Sequence, residues 1–189
     1  QAPNSEDIRC IATRNATIFL RFKVQQFVDT NNTYLFNMRA NWTNQSGLSL
    51  YVSANYRAIF ANCYWNAGSG VQNYFFTPNY LVQDVGIYVN VALTIEPVDG
   101  QSYASVTAYY CFGEPTGAQD WIKGNSRNIN VNNNGTANSP LSFFAMPAEQ
   151  AGGGIVTFDD FRLYNKTLTL DEISSIFVED TFDTIHAVG

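Results

Sequence analysis

The chain reads as an all-β protein of two packed antiparallel sheets closed by one short C-terminal helix. Three observations carry that expectation. Only 14% of its 189 residues are charged while 15% are aromatic, and Asn, Thr, Tyr and Phe are plentiful, a composition of strands, turns and polar loops. Apolar residues alternate with polar ones over short runs punctuated by Gly, Asn and Pro, a period of two rather than 3.6. Near the end, Thr169 and Glu172 form an S/T-x-x-E capping box, in which each side chain satisfies a free backbone donor at the start of a helix. At this length one domain, 1–189, buries a two-sheet core without relying on disulfides.

Taken in order, Ile18, Leu20, Phe22 and Val24 alternate with Phe19, Arg21 and Lys23, the pattern of a half-buried strand. An Asn-Asn-Thr turn leads to a second strand in TYLFNMRAN, and Asn41 to Gly47 is a loop into Leu48, Leu50 and Val52. Ala54 and Asn55 form a tight turn into a strand over Tyr56 to Trp65, which completes a hairpin. Asn66 to Gly86 lacks alternation and reads as a long connection with one short strand near Tyr74 to Phe76. Val89, Val91, Leu93 and Ile95 make the clearest apolar face, and the turn PVDGQ reverses the chain into Tyr103 to Phe112, whose two faces are both apolar or aromatic, as in a central strand. Residues 113–138 form a second irregular excursion with at most a short strand. From Val156 to Tyr164 alternation returns, with Asp159, Phe161 and Leu163 on one face and Phe158, Asp160, Arg162 and Tyr164 on the other. A helix over Leu170 to Phe177 comes directly after the cap. The tail VEDTFDTIHAVG reads as an edge strand or the start of a connection to a further segment.

The run GGGIVTFDDFRLYNKTLTLDEISSIF, Gly152 to Phe177, resembles the closing motif of laminin-G-like, concanavalin A-like jelly-roll domains: a glycine, an apolar residue, two aspartates, a strand ending in Tyr-Asn, and a short helix. VGIYVNVALTIEP resembles the strand that in that family carries a tryptophan and a histidine, with Tyr88 and Asn90 standing in that region here. SYASVTAYYCFGEP and SPLSFFAMP resemble the partner strand and the strand before the closing motif, so the resemblance covers about residues 10–177. It implies a jelly-roll sandwich and, because that family often has further strands upstream, a segment of a larger protein. The Val156 to Asn165 run is also similar to the lectin-like domain appended to trans-sialidases, but no Ser-x-Asp-x-Gly-x-Thr-Trp box of their catalytic propeller occurs.

The net charge of −6 gives no electrostatic basis for nucleic acid or an anionic membrane surface as partner. No apolar run approaches the roughly 20 residues that span a bilayer, so direct membrane insertion is not expected, and QAPNSEDIRC lacks the basic-then-apolar pattern of a signal peptide. Six Asn-x-Ser/Thr sequons, at Asn15, Asn31, Asn41, Asn44, Asn134 and Asn165, fall near expected strand ends and turns, where glycans are accepted without disturbing a core. They point to a glycoprotein in an extracellular, cell-surface or virion-surface setting, although an Asn- and Thr-rich chain also produces sequons by composition. Of Cys10, Cys63 and Cys111, the last two lie late in separate strands. A Cys63 to Cys111 disulfide is the favoured pairing, with three buried free thiols as the alternative.

Glycosidases of this fold need a Glu-x-Asp-x-x-Glu strand with carboxylates on one face. None occurs, and adjacent Asp159 and Asp160 should point to opposite faces. His186 stands near the C-terminus without a partner, and no Ser/His/Asp or Cys/His grouping stands out. The chain is therefore read as a non-enzyme. Domains it resembles sometimes hold a calcium ion with rim-loop oxygens, which would fall to Asp159 and Asp160; the alternative pairs Asp160 with Arg162 or Lys166. Sugar recognition uses aromatic rings on C–H faces and Asn or Asp on hydroxyls, for which Trp121, Tyr64, Trp65, Tyr109, Asn132 and Asn134 are the candidates. Trp121 leads, since it sits in a polar stretch with no evident core role; for any of these rings the plainer reading is core packing.

The reading is a non-catalytic carbohydrate-binding or adhesion module whose partner is a glycan or glycoprotein. Two alternatives are a structural module of a surface filament, cell coat, or viral fibre or capsid that packs against neighbouring subunits, and a glycan-targeting domain attached to an enzyme.

Overall fold

In the computed structural model the described residues are 15–27, 32–37, 47–53, 55–64, 71–75, 77, 86–101, 103–130, 142–143 and 154–183. They form ten strands and one α-helix: β1 Ala16–Gln26, β2 Thr33–Asn37, β3 Gly47–Val52, β4 Ile59–Tyr64, β5 Val71–Phe75, β6 Val89–Pro97, β7 Tyr103–Phe112, β8 Ile122–Asn130, β9 Ser142–Phe143, β10 Ile155–Tyr164 and α1 Leu170–Asp183. The strands pair antiparallel into two five-stranded sheets, β10-β1-β6-β7-β8 and β5-β4-β3-β2-β9. The expected two-sheet antiparallel sandwich is the fold observed.

The alternation in β1 and β6 sets where the core lies. Ile18, Leu20, Phe22 and Val24 of β1 and Val89, Val91, Leu93 and Ile95 of β6 face inward onto Leu35, Phe36, Leu50, Val52 and Ile59 of the other sheet. Each such side chain contributes roughly 1.5–3 kcal/mol by leaving water. Strand β7 gives Ala104, Val106, Ala108 and Tyr110 to this core, and its opposite parity, Tyr109 and Cys111, faces outward. There a second apolar cluster forms from Phe19, Ala92, Cys111, Trp121, Leu168, Ile173 and Ile176, and helix α1 lies over it. The outward face of β7 is thus covered at its Tyr109 and Cys111 end, while Ser105 and Thr107 on the same face stay only half-buried.

The capping box holds α1 in place. The Thr169 N–H donates to Glu172 Oε2 at 2.8 Å and the Glu172 N–H to Thr169 Oγ1 at 3.3 Å. Lys166 Nζ, 2.7 Å from Glu172 Oε1, together with the Thr169 amide holds the Glu172 carboxyl below its ordinary range. Gly154 is needed for close approach. A Cβ there would collide with the Gln26 carbonyl oxygen and lie 2.7 Å from Thr33 Oγ1, the atom that accepts its N–H at 2.9 Å and ties the start of β10 to the opposite sheet.

Three expectations change. The second irregular region contains the nine-residue β8, an edge strand whose described side chains are mostly exposed and which therefore shows no apolar alternation. The fourth strand begins at Ile59, after a turn in which Arg57 takes a φ of 47°. Helix α1 runs six residues past Phe177, to Asp183.

Candidate functional site

The outward face of the β10-β1-β6-β7-β8 sheet divides along its strands. Beneath α1 it is apolar and buried. Beyond the helix, towards the end of β1, it carries Arg21 and Lys23, which alternate with the inward Leu20, Phe22 and Val24. Register sets Arg21 between Asn90 of β6 and Asp160 of β10. Tyr88, just ahead of β6, has two cations against its ring: the Arg21 guanidinium carbon lies 4.4 Å and Lys23 Nζ 4.7 Å from its centroid, contacts worth about 0.5–1 kcal/mol each where solvent reaches them. The turn after β7 brings Glu114 beside Arg21. Gly113, at φ 65°, makes that turn while its N–H donates to the Tyr88 carbonyl at 2.8 Å, and its own carbonyl accepts Nδ2 of buried Asn90 at 2.9 Å.

Two positive charges on one ring repel, and carboxylates offset them. Arg21 Nε lies 2.7 Å from Asp159 Oδ2, and Arg21 Nη2 lies 3.7 Å from Glu114 Oε1. The Arg21 side chain is only 9% exposed, against 50% for Asp159 and 79% for Glu114. The acids therefore form the wet rim and the guanidinium the floor. A strand irregularity makes this possible. Arg21 opposes Asp160 but Phe22 opposes Phe158, so Asp159 is the extra residue of a β-bulge. The bulge turns Phe158 and Phe161 both to the inner core and leaves both aspartates on the outer face: Asp159 meets Arg21, and Asp160 meets Arg162 at 2.8 Å. The expectation that the two aspartates point to opposite faces is corrected, because strict alternation fails where one residue is added.

Among the described residues both aspartates are committed to guanidinium groups and find no further acidic partner for a calcium ion; no three His, Cys, Asp or Glu side chains there are placed to hold a metal. A hard cation needs six to eight oxygens. The pairing of Asp160 with Arg162 is the alternative that the sequence offered.

Trp121 is corrected as well. It is 5% exposed, lies 6.3 Å from Phe19 ring to ring, and belongs to the core beneath α1; it is no surface ring. The turn Ala118–Asp120 delivers it there, fixed by Asp120 Oδ2, which accepts the Thr116 N–H at 2.6 Å and its hydroxyl at 2.8 Å and is thereby held below the ordinary carboxylate range. Tyr109 is half-buried against the same cluster. The side chain of Tyr64, and Trp65, Asn132 and Asn134, lie outside the described residues.

Cys111 is a free, buried thiol, so the expected bridge to Cys63 is not formed. Cys63 belongs to β4 in the other sheet, whereas Cys111 faces outward beneath α1. Burial pushes its thiol up to about 12. Of the sequon asparagines, Asn15 and Asn165 are described and exposed; Asn31, Asn41, Asn44 and Asn134 lie outside the described residues. No helix among the described residues is long and apolar enough to cross a membrane.

No family model matches the chain, and no curated protein matches it. Solved structures do. The CBM40 of the Ruminococcus gnavus IT-sialidase aligns with a TM-score of 0.56 at 11% identity over 90% of this chain and 85% of that one. The likeness is one of fold, a two-sheet β-sandwich. The receptor binding domain of botulinum neurotoxin type G aligns at 0.55 with 10% identity, covering 88% of this chain and 38% of that one. The binding domain of botulinum neurotoxin DC in complex with SialylT aligns at 0.54 with 15% identity, over 88% and 35%. The chain thus spans under half the length of those toxin domains. Identities this low show a shared sandwich; a laminin-G-type membership does not follow from them.

The Arg21, Lys23 and Tyr88 face was absent from the residues that sequence singled out for binding. One signal for it was present: two cations two apart on a strand whose other face is wholly apolar, in a chain with only ten Lys and Arg. Nothing local announced Glu114 or the bulge.

Proposed function

We propose that this chain is a non-catalytic glycan-binding module of a surface-exposed protein, and that it meets its ligand on the face built by Arg21, Lys23, Tyr88, Glu114 and Asp159. The observation that carries the reading is this charged face itself, whose Asp159 and Glu114 rim is exposed at the end of a sheet that α1 covers elsewhere. It offers an aromatic ring for a sugar's C–H surface, cationic donors and carboxylate acceptors, the groups that hydroxyl-rich ligands require. The fold supports it, since the sialidase CBM40 and the toxin binding domain seen with SialylT share the sandwich. The non-catalytic part rests on the carboxylates: Asp159 and Asp160 neutralise arginines, whereas a glycosidase keeps a pair free to flank the scissile bond.

The test is a glycan array probed with the folded chain, in calcium and again in EDTA, beside Tyr88→Ala and Lys23→Ala. Binding that persists in EDTA and falls at least tenfold in Tyr88→Ala, with the variant still folding cooperatively, is the expected result. Binding that both variants retain removes this face, and calcium-dependent binding reinstates a metal near Asp159. Silence across the array favours the assembly module, whose own support is the exposed apolar pair Phe112 and Ile122, 42% and 48% exposed near the end of β7 and the start of β8. Association that rises with concentration in sedimentation would then be expected.

A further inference from the structure

The sequons beside β1 and β10 are joined by the fold. Asn15 directly precedes β1 and Asn165 comes directly after β10, and the pairing of Thr17 with Tyr164 sets the two on neighbouring strand ends, where strands lie roughly 5 Å apart. Both asparagines are exposed. The threonines that complete their motifs are not free. Thr17 is fully buried; its hydroxyl donates to the Lys166 carbonyl at 2.9 Å and accepts the Leu168 N–H at 2.9 Å. Thr167 donates its hydroxyl to the Ile95 carbonyl at 2.9 Å. Thr33, which completes the motif of Asn31, is also buried and accepts the Gly154 N–H.

We infer that Asn15 and Asn165 are a paired N-glycan attachment site, and that transfer to it takes place before β1 pairs with β10. The acceptor motif demands the hydroxyl two residues after the asparagine. In the folded chain that hydroxyl is locked in buried hydrogen bonds at Thr17, and at Thr167 it is held across the strand end, so a transferase can read it only on the unpaired chain. In the transfer, the asparagine Nδ2 forms a bond to C1 of a lipid-pyrophosphate-linked oligosaccharide and loses a proton, and the lipid pyrophosphate departs. Once the strands close, both asparagines remain exposed, and the glycans are accommodated without displacing any side chain of the core. They emerge roughly 26 Å along β1 from Lys23, at about 3.3 Å per residue. Attachment needs a secretory route and no ligand, so it is independent of the glycan-binding proposal.

The test has two arms on the full chain. Secreted from a eukaryotic host behind an added leader and treated with peptide N-glycosidase, the protein should show Asn15 and Asn165 converted to Asp by peptide mass mapping, and Asn15→Gln and Asn165→Gln should each lose one glycan while remaining folded. A secreted, folded chain with both sites empty overturns the attachment site. In the second arm, unglycosylated protein from bacteria is offered, with lipid-linked oligosaccharide, to a transferase preparation. Transfer to the denatured chain at least tenfold above transfer to the folded one is expected, and equal transfer to both overturns the order of events.

Discussion

Replacing Trp121 separates the two roles that its sequence context and its position assign to it. A buried aromatic removes about 150–250 Å² from water, which at about 25 cal/mol per Å² is worth roughly 4–6 kcal/mol. The indole Nε1–H has no hydrogen-bond partner among the described residues, and an unmet buried donor costs about 1–3 kcal/mol, so the net contribution is smaller. Truncation to Ala also empties the space between Phe19 and α1, for which large aromatic-to-alanine changes cost about 3–5 kcal/mol. Trp121→Ala should therefore destabilise the protein by about 3–4 kcal/mol, lowering a urea midpoint by about 1.5–2 M for a slope near 2 kcal/mol/M. Trp121→Phe keeps a ring, drops the unpaired donor and should stay within about 1.5 kcal/mol of the native protein. The assay is urea unfolding monitored by far-ultraviolet circular dichroism, with ligand binding measured on the same samples. A Trp121→Ala protein with an unmoved midpoint and lost binding would refute the buried role and restore a ligand contact.

Other expectations are more local. Asp159→Asn leaves the nearly buried Arg21 without its closest counter-charge; because half of Asp159 is in water, the cost should be about 1–2 kcal/mol, and an unchanged thermal midpoint would show that Glu114 suffices. Cys111 should resist a thiol reagent in the native protein and react on unfolding, and rapid native labelling would mean that α1 does not cover it. Since its folded pKa is raised from 9.0 to about 12, the neutral thiol's contribution is complete below pH about 9 and is lost as pH rises towards 12, which Cys111→Ala should abolish in alkaline melts. Glu172 and Asp120 are shifted the other way: their contributions are present above the ordinary carboxylate range and vanish as pH falls through their depressed values. Acid titration of Glu172→Gln should show a shallower loss of helix than the native protein, and identical curves would deny the cap that role.

Much of the fold was legible because short-range physics wrote it. The parity of Ile18 to Val24 and of Val89 to Ile95 named the inward faces, and the Thr169 and Glu172 pair placed the first turn of α1 to the residue. Legibility failed where environment replaces pattern. Edge strand β8 buries too little to need alternation, and the bulge at Asp159 breaks the period that had put the aspartates apart. Trp121 lay in a polar stretch, and its burial depends on a helix some fifty residues downstream.

By itself the sequence determined the sandwich, the capped helix, the absence of a glycosidase strand, and the sequons, all properties of residues near one another along the chain. Tertiary structure alone decided that Arg21 stands between Asp159 and Tyr88, that Cys111 and Cys63 belong to different sheets, that the Thr17 hydroxyl is consumed where β1 meets the segment after β10, and that the Thr167 hydroxyl is held by Ile95 of β6. The reason is that antiparallel pairing brings together residues more than a hundred positions apart, and only the register, with its bulges, fixes which side chains then meet.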